Sequence, residues 1–248
     1  MALVDVRRDG DVAVLTLNRP DKLNALSTAL ERDLDAALSS DVVVTARALM
    51  IHGAGRAFSA GADITEMGEQ TPADISRYYR ATGDVYERLA ALPCPTIAAI
   101  HGYCLGGGLE MALACDLRIA AADAVFGLPE VAIGIVPSSG GTLRLVRAVG
   151  AARSKELVLW RTRFTAEEAL RFGIVAEVVA DGDVVERGLE VVRELAVLPA
   201  LAVEVAKKTV DASAESSRDA AILIERLAYA ALAQTPEHTD ATTSFRER

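Results

Sequence analysis

Two short glycine-rich turns are the first residues in this sequence whose type and spacing could do chemistry. Ala60-Gly61-Ala62-Asp63 follows an apolar run at residues 47–52, and Gly106-Gly107-Gly108 follows another at residues 96–100. Glycine permits positive φ and close backbone approach, so such turns can direct free backbone N–H groups at an anion. An ordinary tight connection would use the same residues, and one such turn alone is weak evidence for a site.

Two glutamates add acid–base groups to these turns. Glu110 falls in the first turn of the helix that the second glycine turn opens, although a glutamate there also suits a capping role because it interacts favourably with the helix dipole. Glu130, in FGLPEVAIG, follows a proline-fixed turn and precedes an apolar run, surroundings that favour a functional carboxylate. Amide donors with two carboxylates suit proton transfer at the α carbon of a thioester, or addition of water across its α,β double bond.

Alternating and apolar patterns predict the elements that position these groups. A strand, a glycine turn, a helix and a second strand follow one another from residue 96 to residue 120, which predicts a βαβ-like unit. Thr165 and Glu168 have the spacing of a capping box. Strands are predicted at residues 12–17, 47–52, 96–100 and 117–120, and helices at 27–38, 72–92, from 139, from 165, and across 199–233 with a break near 211–217.

Length and charge limit the classes of protein to consider. A chain of 248 residues suits one large α/β domain, or a core with a small helical appendage, and argues against two full independent domains. The net charge of −9 comes from acidic residues scattered along the chain, which argues against a nucleic-acid partner. An anionic ligand remains compatible, because net charge describes the whole surface and not a single pocket.

The cysteines, histidines and termini favour a cytoplasmic protein without a metal site. Cys94, Cys104 and Cys115 form no CxxC pair, which is typical of reduced core thiols. The histidines have no metal-ligand spacing, and no GxSxG motif offers a serine nucleophile. The N-terminus lacks the apolar run of a signal peptide, and no stretch approaches the roughly 20 apolar residues of a membrane span. We therefore predict a soluble, cytoplasmic protein with no membrane partner.

Five segments stand out, in order and spread over nearly the whole chain: NRPDKLNAL, AFSAGADITEM, HGYCLGGGLEMALACDLRIA, FGLPEVAIGIVPSSGGTLRLVRAVG and FTAEEALRFGIV. They resemble successive signatures of the enoyl-CoA hydratase/isomerase (crotonase) family. This resemblance implies an α/β fold with a crotonase-like β/α spiral core at residues 1–190, which holds the CoA-thioester site. It also implies a helical C-terminal region at residues 191–248 through which family members form homotrimers or hexamers.

The resemblance also assigns roles to residues. The backbone N–H groups of Ala62 and Gly107 would form an oxyanion hole for the thioester carbonyl, Glu130 would supply the α proton, and Glu110 would help to deprotonate water. Coupled carboxylates titrate as a pair, so the two roles can be shared. Coenzyme A is part of the acyl-CoA substrate, and no further cofactor is implied. The segments that match the family's CoA-binding stretches contain Lys22, Leu23, Ala60, Asp63 and Ile64.

Retention of both glutamates favours an enoyl-CoA hydratase of fatty-acid metabolism, acting in β-oxidation. The alternatives are an enoyl-CoA isomerase or another acyl-CoA thioester reaction of the same fold, and a non-catalytic member that binds acyl-CoA or a protein. One departure from the family pattern lies close to the expected water site. Where many hydratases have Pro-Gly, this chain has Pro137-Ser138-Ser139, and we expect Ser138 to narrow the pocket or shift substrate preference.

Overall fold

The computed structural model describes residues 2–66, 68, 71–82, 84–180 and 184–246, with the backbone alone described at 80–82, 84 and 244–246. The mixed α/β class predicted from the sequence is confirmed. Its strands are β1 (Val4–Asp9), β2 (Val12–Leu17), β3 (Ala48–Gly53), β4 (Thr96–Ile100), β5 (Tyr103–Leu105), β6 (Leu117–Ala121), β7 (Val125–Gly127), β8 (Phe164–Thr165) and β9 (Glu177–Val179).

The helices alternate with these strands, and in the described residues after β9 only helices follow, up to residue 246. Two short 3₁₀ helices span Pro20–Lys22 and Pro129–Ile133. The α-helices are α1 (Thr28–Leu38), α2 (Asp41–Val44), α3 (Pro72–Thr82), α4 (Asp84–Ala90), α5 (Gly107–Ala114), α6 (Gly141–Leu159), α7 (Ala166–Phe172), α8 (Val184–Ala196), α9 (Ala200–Glu215), α10 (Arg218–Leu232) and α11 (Pro236–Arg246).

Within the described residues, the strands form a six-stranded sheet in the order β1-β2-β3-β4-β6-β9 and a three-stranded sheet in the order β5-β7-β8. In the larger sheet β1 is antiparallel to β2 and every other pair is parallel. All five residues of β4 are buried, because helices cover both faces of a parallel sheet. Strand β5 follows β4 directly and leads into α5, which brings the second glycine turn to the junction of the two sheets.

Each face of the larger sheet has its own apolar core. On one face Val14, Met50 and Ile97 pack with Val192 of α8. On the other face Leu15 and many further side chains pack with α1, α4 and α5. Helix α5 is buried from Gly108 to Ala114, so the backbone turn that precedes it is anchored to the core by this helix.

Most predicted elements are present, and the differences have local causes. The predicted capping box of Thr165 and Glu168 begins α7. The helix predicted at 72–92 corresponds to α3 and α4, which together end at Ala90, and residue 83 between them lies outside the described residues. Strand β1 was not predicted, since only one of its six residues is buried. The predicted domain boundary after residue 190 lies inside α8, which packs on the sheet to Ala196.

The C-terminal helices differ from the rest because they contribute little to the core. Helices α9 and α10 pack against each other, with the break near residue 216 that the sequence predicted, and neither contains a buried residue. Across the described part of the chain, none of the helices combines the length and apolarity needed to cross a membrane.

Candidate active site

The two glycine turns lie side by side. A Cβ atom placed on Gly106 would be 3.7 Å from the Cα of Gly61, and both glycines have positive φ, 51° and 92°. The Gly106 N–H donates to the carbonyl of Gly127 at 2.8 Å, which ties the second turn to β7. The fold thus joins two segments that are more than 40 residues apart in the sequence.

Backbone pairing leaves one N–H group of each turn directed away from its own hydrogen-bonded neighbours. Leu26 pairs with Ala62 as in a parallel sheet: its N–H donates to Gly61, and its carbonyl accepts from Asp63. In this pattern the N–H of the central residue, Ala62, points away from Leu26. Gly107 begins α5, where the first N–H groups have no intrahelical acceptor. These are the two groups to which the family resemblance assigned the role of an oxyanion hole.

Glu110 is held by the start of α6. Its side chain is only 4% exposed, and its Oε1 accepts from the N–H of Ser139 at 2.8 Å and of Gly141 at 2.9 Å. Burial raises the pKa of Glu110, while these backbone donors act in the opposite direction. Its Oε2 lies 4.0 Å from the position that a Cβ on Gly107 would occupy. The carboxylate therefore reaches the predicted oxyanion turn and is oriented by two amides.

Glu130 approaches the same turn from the 3₁₀ helix at Pro129–Ile133. Its Oε1 would be 3.1 Å from a Cβ on Gly106. Its Oε2 is buried and has no hydrogen-bond partner in the described part of the structure. Burial, with a smaller contribution from the charge of Glu110, raises the pKa of Glu130 to about 7. The fold therefore brings the two predicted glutamates to one glycine turn, and Glu130 is suited to hold and release a proton near neutral pH.

Most residues predicted to contact CoA line the edge of this region. The Ala60 N–H donates to the Leu23 carbonyl at 2.9 Å, which joins the two segments that carry them. Lys22 ends the first 3₁₀ helix and is exposed, and Ile64 is 72% exposed. The side chains of Lys22 and Ile64 are therefore accessible to a ligand.

Asp63 is instead directed to partners within the protein. Its Oδ2 lies 2.6 Å from Arg19 Nη1, and its Oδ1 accepts from the hydroxyl of Thr65 at 2.6 Å and from its N–H at 3.0 Å. These contacts, led by the Thr65 hydroxyl, lower the pKa of Asp63 to about 2. The charged carboxylate thus ties the segment that follows Ala62 to the segment that contains Arg19.

Asn24 is a residue of this region that the sequence analysis missed. It is fully buried and has a positive φ of 53°. Its Nδ2 donates to the carbonyls of Ala54 and Ala57 at 2.9 and 2.8 Å, and its Oδ1 accepts from the Arg19 N–H at 2.8 Å. Asparagine tolerates the left-handed region, which is the one sequence signal it offers. Its side chain holds together the loops that precede both Ala62 and Leu26.

Replacement of Asn24 by alanine is expected to lower the free energy of unfolding by about 2–4 kcal/mol, because buried carbonyls lose their donors. Chemical denaturation would measure this loss. The matched control is Asn18→Ala, which removes an exposed hydrogen bond to Asp5 and is expected to change stability by about 0.5 kcal/mol or less. Equal losses in the two variants would contradict the role assigned to Asn24.

The fold thus places amide donors and two carboxylates at one glycine turn, an arrangement typical of acid–base enzymes that act on a carbonyl group. The sequence profile of the enoyl-CoA hydratase/isomerase family matches residues 7–248. The chain therefore belongs to the enoyl-CoA hydratase/isomerase family, and it has the crotonase fold.

Individual relatives agree with this assignment over nearly their whole length. The short-chain-enoyl-CoA hydratase of Clostridium acetobutylicum is 36% identical over 249 residues, which cover 99% of this chain and 95% of that protein. The crystal structure of enoyl-CoA hydratase from Bacillus anthracis has a TM-score of 0.92 at 33% identity, covering 99% and 96% of the two chains. A Thermobifida fusca protein solved in complex with CoA has a TM-score of 0.86 at 29% identity, covering 93% and 92%.

Proposed function

We propose that this protein is an enoyl-CoA hydratase, which adds water reversibly to a trans-2-enoyl-CoA to give a 3-hydroxyacyl-CoA. The observation that carries the proposal is the convergence of Glu110 and Glu130 on one glycine turn, the first clamped by amides and the second with an unpartnered buried oxygen. The names of the relatives at 36–38% identity support the same reaction.

The thioester carbonyl oxygen accepts hydrogen bonds from the N–H groups of Ala62 and Gly107. As water adds to the β carbon, negative charge moves to this oxygen as an enolate. Donors that are already in place stabilise that charge, and each typically contributes about 10²–10³ in rate.

The two glutamates divide the proton transfers. Glu110, as a carboxylate, takes a proton from water while the water oxygen bonds to the β carbon and the electron pair of the double bond moves to the α carbon and carbonyl. Glu130, as a carboxylic acid, then gives its proton to the α carbon. The proton on Glu110 returns to Glu130 through solvent, which restores the starting state. Burial raises the pKa of both glutamates. The two amides on Glu110 oppose this rise and favour its ionised form, whereas the buried Oε2 of Glu130 has no donor in the described structure to do the same.

The CoA portion binds along the edge formed by Lys22, Leu23, Ala60, Asp63 and Ile64. The Lys22 ammonium is exposed there and can pair with a phosphate. Asp63 contributes by fixing its segment, since its carboxylate is bound to Arg19 and Thr65. The reaction uses no cofactor beyond the CoA of the substrate.

The pH dependence of kcat/KM should follow the proton shared by the two glutamates. The active form holds one proton on the pair, so kcat/KM is expected to fall about tenfold per pH unit above about 7, as Glu130 loses it. Dehydration needs the same total number of protons on the pair, because the reaction consumes none overall. Both directions should therefore show the same alkaline limb, and a kcat/KM for hydration that stays level from about pH 7 to about pH 9 would refute the shared-proton scheme.

We also propose that the protein is cytoplasmic and acts in β-oxidation. In addition, we propose that the chain assembles into homotrimers or hexamers through its C-terminal region. Helices α9 and α10 contain no fully buried residue within one chain, yet they expose large apolar side chains such as Leu223, Leu227 and Tyr229. Such a face is usually covered by another subunit. Light scattering should give the mass of a trimer or a multiple of it, and Leu227→Lys should reduce that mass; a monomeric wild type would refute the assembly.

The direct test is the hydration of crotonyl-CoA by the purified protein, followed as loss of the conjugated thioester absorbance. Turnover, with 3-hydroxybutyryl-CoA as product, supports a hydratase. Conversion of a trans-3-enoyl-CoA to its 2-enoyl isomer without hydration would indicate an isomerase. Binding of CoA thioesters with neither reaction would indicate a non-catalytic member of the family.

A further inference from the structure

A hydrogen bond between Tyr79 and Ser138 crosses from α3 to the loop that orients Glu110. The phenol of Tyr79 donates to Ser138 Oγ at 2.5 Å, over 59 residues of sequence. Ser138 immediately precedes Ser139, whose N–H binds Glu110 Oε1. The link therefore connects α3 to the same loop that holds the proposed base.

Tyr79 is itself supported from α1. The ring of Tyr78 packs edge-on against the ring of Tyr79, with centroids 5.3 Å apart. The Tyr78 hydroxyl donates to Glu31 Oε2 at 2.8 Å, and the buried Glu31 carboxylate also accepts from Tyr86 at 3.1 Å. Helix α3 is thus fixed on α1 at one side and on the 137–141 loop at the other.

The position of this link matters because of the direction in which an acyl chain must run. With the thioester oxygen at Ala62 and Gly107, the double bond lies between Glu110 and Glu130. The substituent on the β carbon then leaves the site on the side of Glu110 remote from the thioester sulfur. That side is occupied by the 137–141 loop, because Ser139 and Gly141 bind Oε1 of Glu110.

We propose that the Tyr79–Ser138 hydrogen bond closes the acyl end of the site and restricts it to short acyl chains. The inference rests on the proposed function for the orientation of the substrate. Ser138 is exposed and Tyr79 is half-buried, so the bond does not belong to the core and its removal leaves the fold intact. Each methylene of the acyl chain that an open pocket buries raises the affinity for the acyl-CoA about fourfold. A pocket closed at its end cannot bury further methylenes, so longer chains gain no affinity.

Calorimetric titration with butyryl-CoA and decanoyl-CoA tests the closure without relying on turnover, since saturated thioesters are not hydrated. Wild type should bind decanoyl-CoA no more than about tenfold more tightly than butyryl-CoA, far below the gain that six buried methylenes would give. Tyr79→Phe and Ser138→Ala delete the bond from either side with almost no change in shape. Each should lower the Kd for decanoyl-CoA about tenfold and change that for butyryl-CoA less than about threefold.

Two controls make the result specific to this bond. The double variant should show no further gain beyond either single variant, because both remove the same interaction. Thr142→Ala removes another hydroxyl bonded to this loop, at the Pro137 carbonyl, and should leave the ratio of Kd values unchanged.

Three outcomes would overturn the closure: tight wild-type binding of decanoyl-CoA, unchanged ratios in both single variants, or an equal shift in Thr142→Ala. Failure of the proposed function is separate. It would appear as absence of crotonyl-CoA hydration by wild type, whereas the Kd comparison would still decide whether the bond limits chain length.

Discussion

Glu130→Gln is expected to lower kcat for hydration of crotonyl-CoA by about 10²–10⁴, the usual contribution of a positioned acid–base group. Glutamine keeps the size of the side chain but cannot release a proton to the α carbon. The surroundings of Glu130 explain this loss. Burial raises the pKa of Glu130 to about 7, so a large fraction of the Glu130 side chains carries the proton at neutral pH, and the buried Oε2 has no partner in the described structure.

Glu110→Gln should lose activity over the same range for the complementary reason. Its amide oxygen can still accept from Ser139 and Gly141, so the loop stays in place while the base is lost. Because the two glutamates act on one reaction as a unit, the double variant should be far less impaired than the product of the single losses predicts.

The measurements are kcat and KM for crotonyl-CoA and the Kd for butyryl-CoA in each variant. Glu167→Gln is a matched control, because Glu167 is exposed on α7 and away from the site. Binding of butyryl-CoA should change little in either catalytic variant. A loss of less than about tenfold in Glu130→Gln would mean that another group delivers the α proton.

The sequence predicted those parts of the fold that have a local cause. The run at Thr96–Ile100 is apolar throughout because β4 is covered on both faces, and the prediction matches the strand residue for residue. Ser27 was predicted as the start of an amphipathic helix, and it caps α1 through its hydroxyl. The meeting of Glu110 and Glu130 followed from a family resemblance in addition to their local patterns, and the structure brings both to Gly106-Gly107.

Features that depend on residues far apart in the sequence could not be predicted from local patterns. The pairing of Arg19 with Asp63 spans 44 residues, and the bond from Tyr79 to Ser138 spans 59. In the sequence Asn24 looks like any turn asparagine, and only its hydrogen bonds to the carbonyls of Ala54 and Ala57 in the folded protein distinguish it. Strand β1 has one buried residue, so its pairing with β2 defines it more than its own pattern does. A local sequence pattern reflects which residues are buried. It does not show these contacts, because they form only when distant segments come together in the folded chain.

Gly141→Ala is expected to lower kcat by about 10² through displacement of Glu110, since a misplacement of about 1 Å can cost that much. A Cβ on Gly141 would lie 2.4 Å from Cγ of Glu110 and 2.6 Å from its Oε1, so the carboxylate has to move. The same move weakens its bond to the Gly141 N–H. Alanine causes no backbone strain at this position, because Gly141 is not among the glycines with positive φ and alanine favours a helix.

The experiment compares kcat in wild type, Gly141→Ala and Gly68→Ala. Gly68 is the control because a Cβ there meets nothing within 4 Å and its φ is not positive, so its variant should stay within about threefold of wild type. If Gly141→Ala acts through Glu110, it should add little to the loss in Glu110→Gln, because the two changes then remove one function. Full activity in Gly141→Ala would show that the reaction tolerates a displaced Glu110. Additive losses would mean that Gly141 acts on the site by a route other than this carboxylate.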